Sequence, residues 1–336
     1  MKHPGRLLKP FTELPAGLQF PLVWLSFLLP LLVWGAVSYA PFLWHPLVKI
    51  DDPGAVTYFT PGTLVAKDVF ATENAKMAAA GLAMATGRPA NPVFLPAPHE
   101  VFSAIGKSFT TPPRRKGEPW LHESLWHSVT IIFWGFLYSS LLGVPLGILC
   151  GSFHLFAKLI EPVVDFTRYM PAPVFGALAV AVLGIYDAPK IAIIVIGTFF
   201  QQVLVVANTT RKLDTSLVEA AQTLGAGRRQ ILLRVVLPGI AVDLYNDMRI
   251  LLGWAWTYLI VAELIGASSG ITYFINQQAK YRVYENVFAC ILMIGLIGFL
   301  TDRLLAVLGH VLFPWRPNNR PLGLRKFLRL PPPATA

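Results

Sequence analysis

One set of spaced residues in the second half of the chain has the pattern of a binding element. Glu219, Ala220 and Ala221 are followed after three residues by Gly225, and after nine more by Val235, Val236, Leu237 and Pro238. Asp214 or Thr215 can cap the first amides of a helix over residues 213–224, and Gly225 can end it. A second short helix, residues 228–236, is expected before Pro238 opens a long apolar stretch. Two short helices at a bend make a rigid knob, narrow at the alanines, for something outside the chain to grip. Groups suited to covalent chemistry are scarce. Gly106, Lys107 and Ser108 are the nearest fragment to a phosphate-cradling loop, but Val101 stands where its first glycine belongs. Cys150 and Cys290 have no Cys or His around them at metal-ligand spacing and read as inert packing residues. No nucleophile, base or metal ligands converge, so the expectation is a chain that is no enzyme, with no cofactor and no metal.

The elements that carry this knob are set by hydropathy. Of 336 residues, 54% are hydrophobic and only 14% charged, and the uncharged stretches have the roughly 17–25 residues that a hydrocarbon core of about 30 Å demands of a helix. The first is residues 22–40; the second is 124–153, where His127 is the only titratable side chain. The third, 169–186, lies between Arg168 and Asp187, and the fourth, 191–210, between Lys190 and Arg211. The fifth, 240–265, has charges near its start and Glu263 near its end, and the sixth is 285–310. The fold class expected is therefore an all-α integral membrane protein of six transmembrane helices. The first span is too long and apolar for a cleaved leader and reads as a retained helix.

Lysine and arginine in short flanking segments tend to stay cytoplasmic. Lys2, Arg6 and Lys9 precede the first span; Arg211, Lys212, Arg228, Arg229 and Arg234 fall between the fourth and fifth; Arg316, Arg320, Arg325, Lys326 and Arg329 fill the tail. Both termini are then cytoplasmic. Residues 1–21 form the N-terminal cytoplasmic segment, 22–40 the first helix and 41–123 an extracytoplasmic insertion. The core of five helices is 124–312, with a cytoplasmic loop at 211–238, and 313–336 is a basic tail. The net charge of +10 is accounted for by this bias and by anionic lipid, so no nucleic acid is implied. Within the insertion, residues 44–94 are expected to form a small packed cap with two short helices, 63–71 and 74–86.

Several residues inside the spans are candidates for a pathway or gate. Glu263 is a charge within a span, and Gln201 and Gln202 are amides at mid-span; each needs a partner or a wet surface. Helix contact is favoured for the glutamines, while Glu263 either caps a neighbouring helix or takes part in gating. Trp254 and Trp256 join the pathway candidates. Asp243, Asp247 and Arg249 are expected to pair with the cytoplasmic loop. Ser139, Gly143, Gly147 and Gly151 recur every four residues, a small-residue face on which another helix can pack closely. Pro145 in the same helix permits a kink.

The full spacing from Glu219 to Pro238 resembles the EAA motif of bacterial ABC importer permeases, which carry the type I importer fold. The resemblance implies that Glu219, Ala220, Ala221, Gly225, Leu237 and Pro238 belong to the segment that couples to an ATPase. Other stretches are similar to the nitrate, sulfonate and taurine branch of these permeases. They are Leu95, Pro96, Ala97, Pro98 with Glu100, Val101, Phe102; His122, Ser124 and Leu125 through Gly143, Pro145, Leu146, Gly147 and Gly151; Arg168 with Pro171; and Gly253, Trp254, Ala255, Trp256 through Val261, Ala262, Glu263 and Gly270. The likeness covers residues 95–315. It departs after Pro171, where Ala172, Pro173, Val174, Phe175, Gly176, Ala177 and Leu178 replace the branch's usual run, and at the block 44–94, which the branch lacks. The partners implied are a pair of cytoplasmic ATPase subunits, a periplasmic or lipid-anchored substrate-binding protein, a second copy of the chain in a homodimer, and the lipid bilayer of the inner membrane. The implied cargo is a small anion such as nitrate, a sulfonate or taurine. The competing class is a secondary transporter or channel, which would favour inverted repeats and midplane charges.

Overall fold

The computed structural model describes residues 16–40, 45–112, 118–265 and 269–315. Lys2, Arg6, Lys9, Pro41 and the basic tail from Arg316 onward lie outside them. Two compact units divide the chain near Ala104. The first begins with α1 (Ala16–Tyr39), an apolar helix that keeps Pro21 and Pro30 within it. Its C-terminal end is tied down by two bonds: the Trp34 indole donates to the Pro96 carbonyl at 3.0 Å, and the Tyr39 hydroxyl meets Nδ1 of His99 at 2.6 Å.

The insertion is not the helical cap expected. It holds a three-stranded antiparallel sheet, with β1 (Leu47–Asp52) between β2 (Leu64–Ala66) and β3 (Thr86–Ala90). Val48 and Ile50 of β1 are buried, and Lys49 and Asp51, which alternate with them, are exposed, the two-residue period of a half-buried strand. The expected helix at 63–71 therefore begins as β2, and one helix, α2 (Lys67–Ala79), replaces the two expected. Ile50, Val56, Phe59 and Ala85 form the core, with Val65, Phe70 and Met77 against it. The Asn74 side chain substitutes for a strand neighbour: it donates to the Ala85 carbonyl at 2.9 Å and accepts from the Ala85 amide at 2.8 Å. The helix α3 (Pro98–Thr110) follows.

In the second unit, α4 (Leu121–Ser152) and α7 (Asp187–Arg211) form the central pair. Small residues decide their packing. A Cβ on Gly135 would meet Ile194, one on Gly143 would meet Gln202, one on Gly147 would meet Val206 and one on Gly151 would overlap Thr210. Each pair is offset by 59 residues, so the two helices run parallel over 16 residues, about 24 Å. That geometry settles the third span. Between two parallel membrane helices the chain must cross back, and it does so as a broken pair, α5 (His154–Thr167) and α6 (Gly176–Leu183), bent by 86°. Among the described residues five helices are long and apolar enough to cross alone, and six crossings result when this pair counts as one. The single helix expected over 169–186 is thus corrected. Pro171 and Pro173 supply no amide hydrogen, and helix resumes only after a 3-10 turn at Ala172–Phe175.

The return to the knob is made by α8 (Thr215–Thr223) and α9 (Arg228–Ile231). A π-turn at Leu232–Val236 then leads into α10 (Leu237–Ile265). The expected helix 228–236 is present but not separate, because it runs on into α10 as one helix, Arg228–Ile265. Widening by one residue per turn just before Pro238 accommodates the ring where its missing N–H and its clash fall. α10 runs antiparallel to α7, with Tyr258 on Gly197 and Asp247 on Thr209. α11 (Ile271–Lys280) and α12 (Tyr284–Leu312) complete the unit. α12 is antiparallel to α10, with Arg249 on Asp302 and the Tyr245 hydroxyl on the Leu305 carbonyl.

Candidate functional site

The helix directions place the C-terminal ends of α4, α7 and α12 and the start of α10 on one face of the second unit, and α8 with them. There α8 is held open at both ends by its own sequence. Asp214 Oδ1 accepts from the Ser216 amide at 3.0 Å, and this bond holds its carboxyl below the ordinary aspartate range. At the other end Gly225 takes φ = 81°, which only glycine adopts at little cost. Its amide bonds the Gln222 carbonyl and the next amide bonds Ala221. Leu213 seats against Gly239, where a Cβ would come within 2.6 Å of it, so the base of the knob rests on the start of α10.

No residue of α8 is buried. Leu217, Ala220, Ala221 and Leu224 share one face at helical spacing, Ala221 half-buried and the other three exposed, and Leu224 is 87% exposed. Glu219 is exposed beside them, whereas Leu237 and Pro238 belong to the first turn of α10. The six residues of the spaced pattern thus divide between a projecting helix with its terminator and the root of the span behind it.

The intramembrane candidates separate. Gln202 is fully buried between helices: it accepts from Ser139 Oγ at 2.8 Å and donates to Ser140 Oγ at 3.1 Å. Gln201 beside it is half-buried. Trp254 is exposed on α10, and Trp256 packs into the main core beside Gly298. Asp247 accepts from Thr209 on α7 and Arg249 pairs with Asp302 of α12 at 2.7 Å, so their partners lie on spans and not in the cytoplasmic loop as expected.

Glu263 is fully buried. Its carboxylate accepts from Ser128 Oγ and from the Thr272 amide at 2.8 Å, and so caps the N-terminus of α11. Gly270, at φ = 100°, lies so close that any Cβ would overlap that carboxylate. Sequence reasoning overlooked the cluster next to it. Lys190, also fully buried, donates to Asp187 at 3.0 Å and to Ser269 Oγ at 2.7 Å, and His127 Nε2 lies 3.0 Å from both Asp187 Oδ1 and Ser269 Oγ. Asp187 and Lys190 read as the flanks of two spans. Their spacing of three at a helix start was the available signal that they act together.

Residues 143–311 match the family model of the binding-protein-dependent transport system inner membrane component. The chain belongs to this family. Among curated relatives the permease is 35% identical over 182 residues to a Brucella abortus (strain 2308) protein named a probable ABC transporter permease protein, a match covering 54% of this chain and 73% of the relative. It is 29% identical over 232 residues to the taurine transport system permease protein TauC of Escherichia coli (strain K12), covering 69% and 84%. It is 24% identical over 190 residues to the nitrate import permease protein NrtB of Synechocystis sp. (strain ATCC 27184), covering 56% and 68%. The permease is accordingly a multi-pass membrane subunit of an ABC importer. In this family the ATPase is a separate subunit and a substrate-binding protein delivers the cargo.

Proposed function

We propose that two copies of this permease form the pathway for a small oxyanion-bearing solute of the nitrate, sulfonate or taurine type, and that α8 is the surface that grips the ATPase. The observation that carries the second part is the projecting helix itself. None of its residues is buried, it is capped at one end by Asp214 and turned at the other by Gly225, and Leu217, Ala220 and Leu224 of its apolar face stand exposed. Arg211, Lys212, Arg228 and Arg229 surround it, which favours the cytoplasmic side. The cargo class is supported by the names of the relatives. The sheet-bearing insertion would then lie on the opposite, outer side, as a surface for the binding protein or a cap over the mouth.

The test is a Gly225→Val variant assembled with its ATPase in proteoliposomes. A β-branched residue at φ = 81° is strained by about 1–2 kcal/mol, enough to shift the knob without unfolding the spans. Expected is an intact complex in which solute uptake and binding-protein-stimulated ATP hydrolysis fall together by tenfold or more. Normal uptake with the ATPase still bound would remove α8 from this role.

A further inference from the structure

The break between α5 and α6 carries charges at a depth where charge is costly. Val164 of α5 packs with Val203 and Ala207 of α7, and Val203 is eight residues, about 12 Å, from the Arg211 end of that helix. Ala172, just past the break, packs in the cluster of Ile193 and Ile194, about 10 Å from the Asp187 end. Arg168 is four residues from each in the chain, so the break it stands at joins two contacts that both lie in the interior of α7's length. It is not sealed in. The Arg168 side chain is 32% exposed and that of Asp165 53%, joined by Nε to Oδ1 at 3.1 Å. The guanidinium also donates one bond from Nη2 to the Tyr169 hydroxyl at 3.0 Å and stacks 4.7 Å from that ring.

Two independent facts say that this surface meets water or a partner subunit's side of a channel. Exposed charges at mid-depth cannot face acyl chains. Non-helical backbone at membrane depth is tolerated only where it is enclosed by protein or lines a wet cavity, and here residues 169–171 are non-helical, with Tyr169 76% exposed. The chemistry of the pair is that of a weak oxyanion site. Arginine has five donors in a planar fork suited to two oxygens of a nitrate or sulfonate. Asp165 engages Nε and Tyr169 engages Nη2, so donors on Nη1 and Nη2 remain for an incoming anion. A neighbouring carboxylate that competes for the same fork keeps binding loose enough for release, which conduction through a pathway requires.

We propose that Arg168 contacts the solute's oxyanion inside the pathway through its Nη donors, with Asp165 as the counter-charge that keeps that hold weak. This rests on the oxyanion-transport reading above. The experiment uses the full permease with its ATPase and binding protein in proteoliposomes, with nitrate, methanesulfonate and taurine as probes, and three variants. Arg168→Gln is expected to raise KM and to lower uptake tenfold or more, and Arg168→Lys to restore part of it. Asp165→Asn, which frees the guanidinium, is expected to lower KM and, through slow release, kcat as well. A purely structural ion pair would respond alike to loss of either partner, so KM shifts of the same sign in Arg168→Gln and Asp165→Asn overturn the proposal.

Arg168→Cys, in a background with Cys150 and Cys290 replaced by alanine, gives a readout independent of turnover. The introduced thiol should react with a water-soluble sulfonated methanethiosulfonate reagent and be protected by the transported anion. An inert thiol in this variant, with anion uptake intact in the cysteine-free parent, overturns the Arg168 assignment alone. A wild-type complex that couples ATP hydrolysis to none of the three anions overturns the oxyanion reading and this proposal with it.

Discussion

Glu263 illustrates what a single residue does here and why it was half legible. A carboxylate near the end of an apolar span is visible at once in the sequence, as an expense that needs a partner. Which partner was not visible, because Ser128 is 135 residues away and the Thr272 amide belongs to a helix that starts only after a turn. Lys190 was less legible still: next to an apolar run it reads as a boundary, whereas the fold encloses it with Asp187, Ser269 and His127. The stripe of Ser139, Gly143, Gly147 and Gly151 was readable in full, since a four-residue period of small side chains needs no knowledge of the partner. For Glu263 the expected outcome of truncation to alanine is loss of the acceptor for one hydroxyl and one amide, each buried donor costing about 1–3 kcal/mol when left unmatched. Glu263→Gln keeps an acceptor and should cost distinctly less. Thermal unfolding of the detergent-solubilised permease compares the two, and equal midpoints would contradict the capping role.

At the scale of elements, sequence patterning served where an element is uniform and misled where it is broken. The long spans were found because hydropathy sums over the whole helix. The bent pair was misplaced because the same sum is blind to direction: residues 169–186 are uncharged, yet Pro171 and Pro173 divide them and move half the crossing back onto α5. The strands of the insertion were missed because β2 is three residues long and adjoins a helix directly. Its alternation is visible only in the partner β1. The α4 and α7 contact lends itself to a test of its own. Gly147→Val places methyl groups where Val206 already lies, 2.6 Å from the Cβ position, an overpacking worth about 1–3 kcal/mol. Gly295→Ala on α12 meets nothing within 4 Å and should be neutral or slightly stabilising, since alanine is the better helix former. The two midpoints should therefore move apart, and a Gly147→Val variant as stable as the parent would mean that the helices do not pack in this register.

For the molecule as a whole, sidedness follows from one chain of relations: α4 and α7 parallel, α10 antiparallel to both, and α12 antiparallel to α10. It makes the face bearing α8 the one that collects Arg211, Lys212, Arg228 and Arg229. With cysteines introduced singly in a Cys150→Ala, Cys290→Ala background, one at Arg229 should be shielded from an impermeant thiol reagent in intact cells and one at Lys76 should react. The reverse pattern would turn the permease over in the membrane and place α8 where no ATPase can reach it.

The constant separation of 59 residues between facing positions of α4 and α7 also fixes a calendar for synthesis. At about 5–20 residues per second, each glycine of the first helix leaves the ribosome roughly 3–12 s before the side chain that will cover it. During that interval its bare backbone face has only lipid, or the insertion machinery, for company. The turnaround through α5 and α6 must be completed before the central pair can close. A ribosomal pause that holds α7 inside the ribosome after α4 has emerged should therefore prolong exposure to membrane proteases, and the same pause placed once α7 has emerged should not.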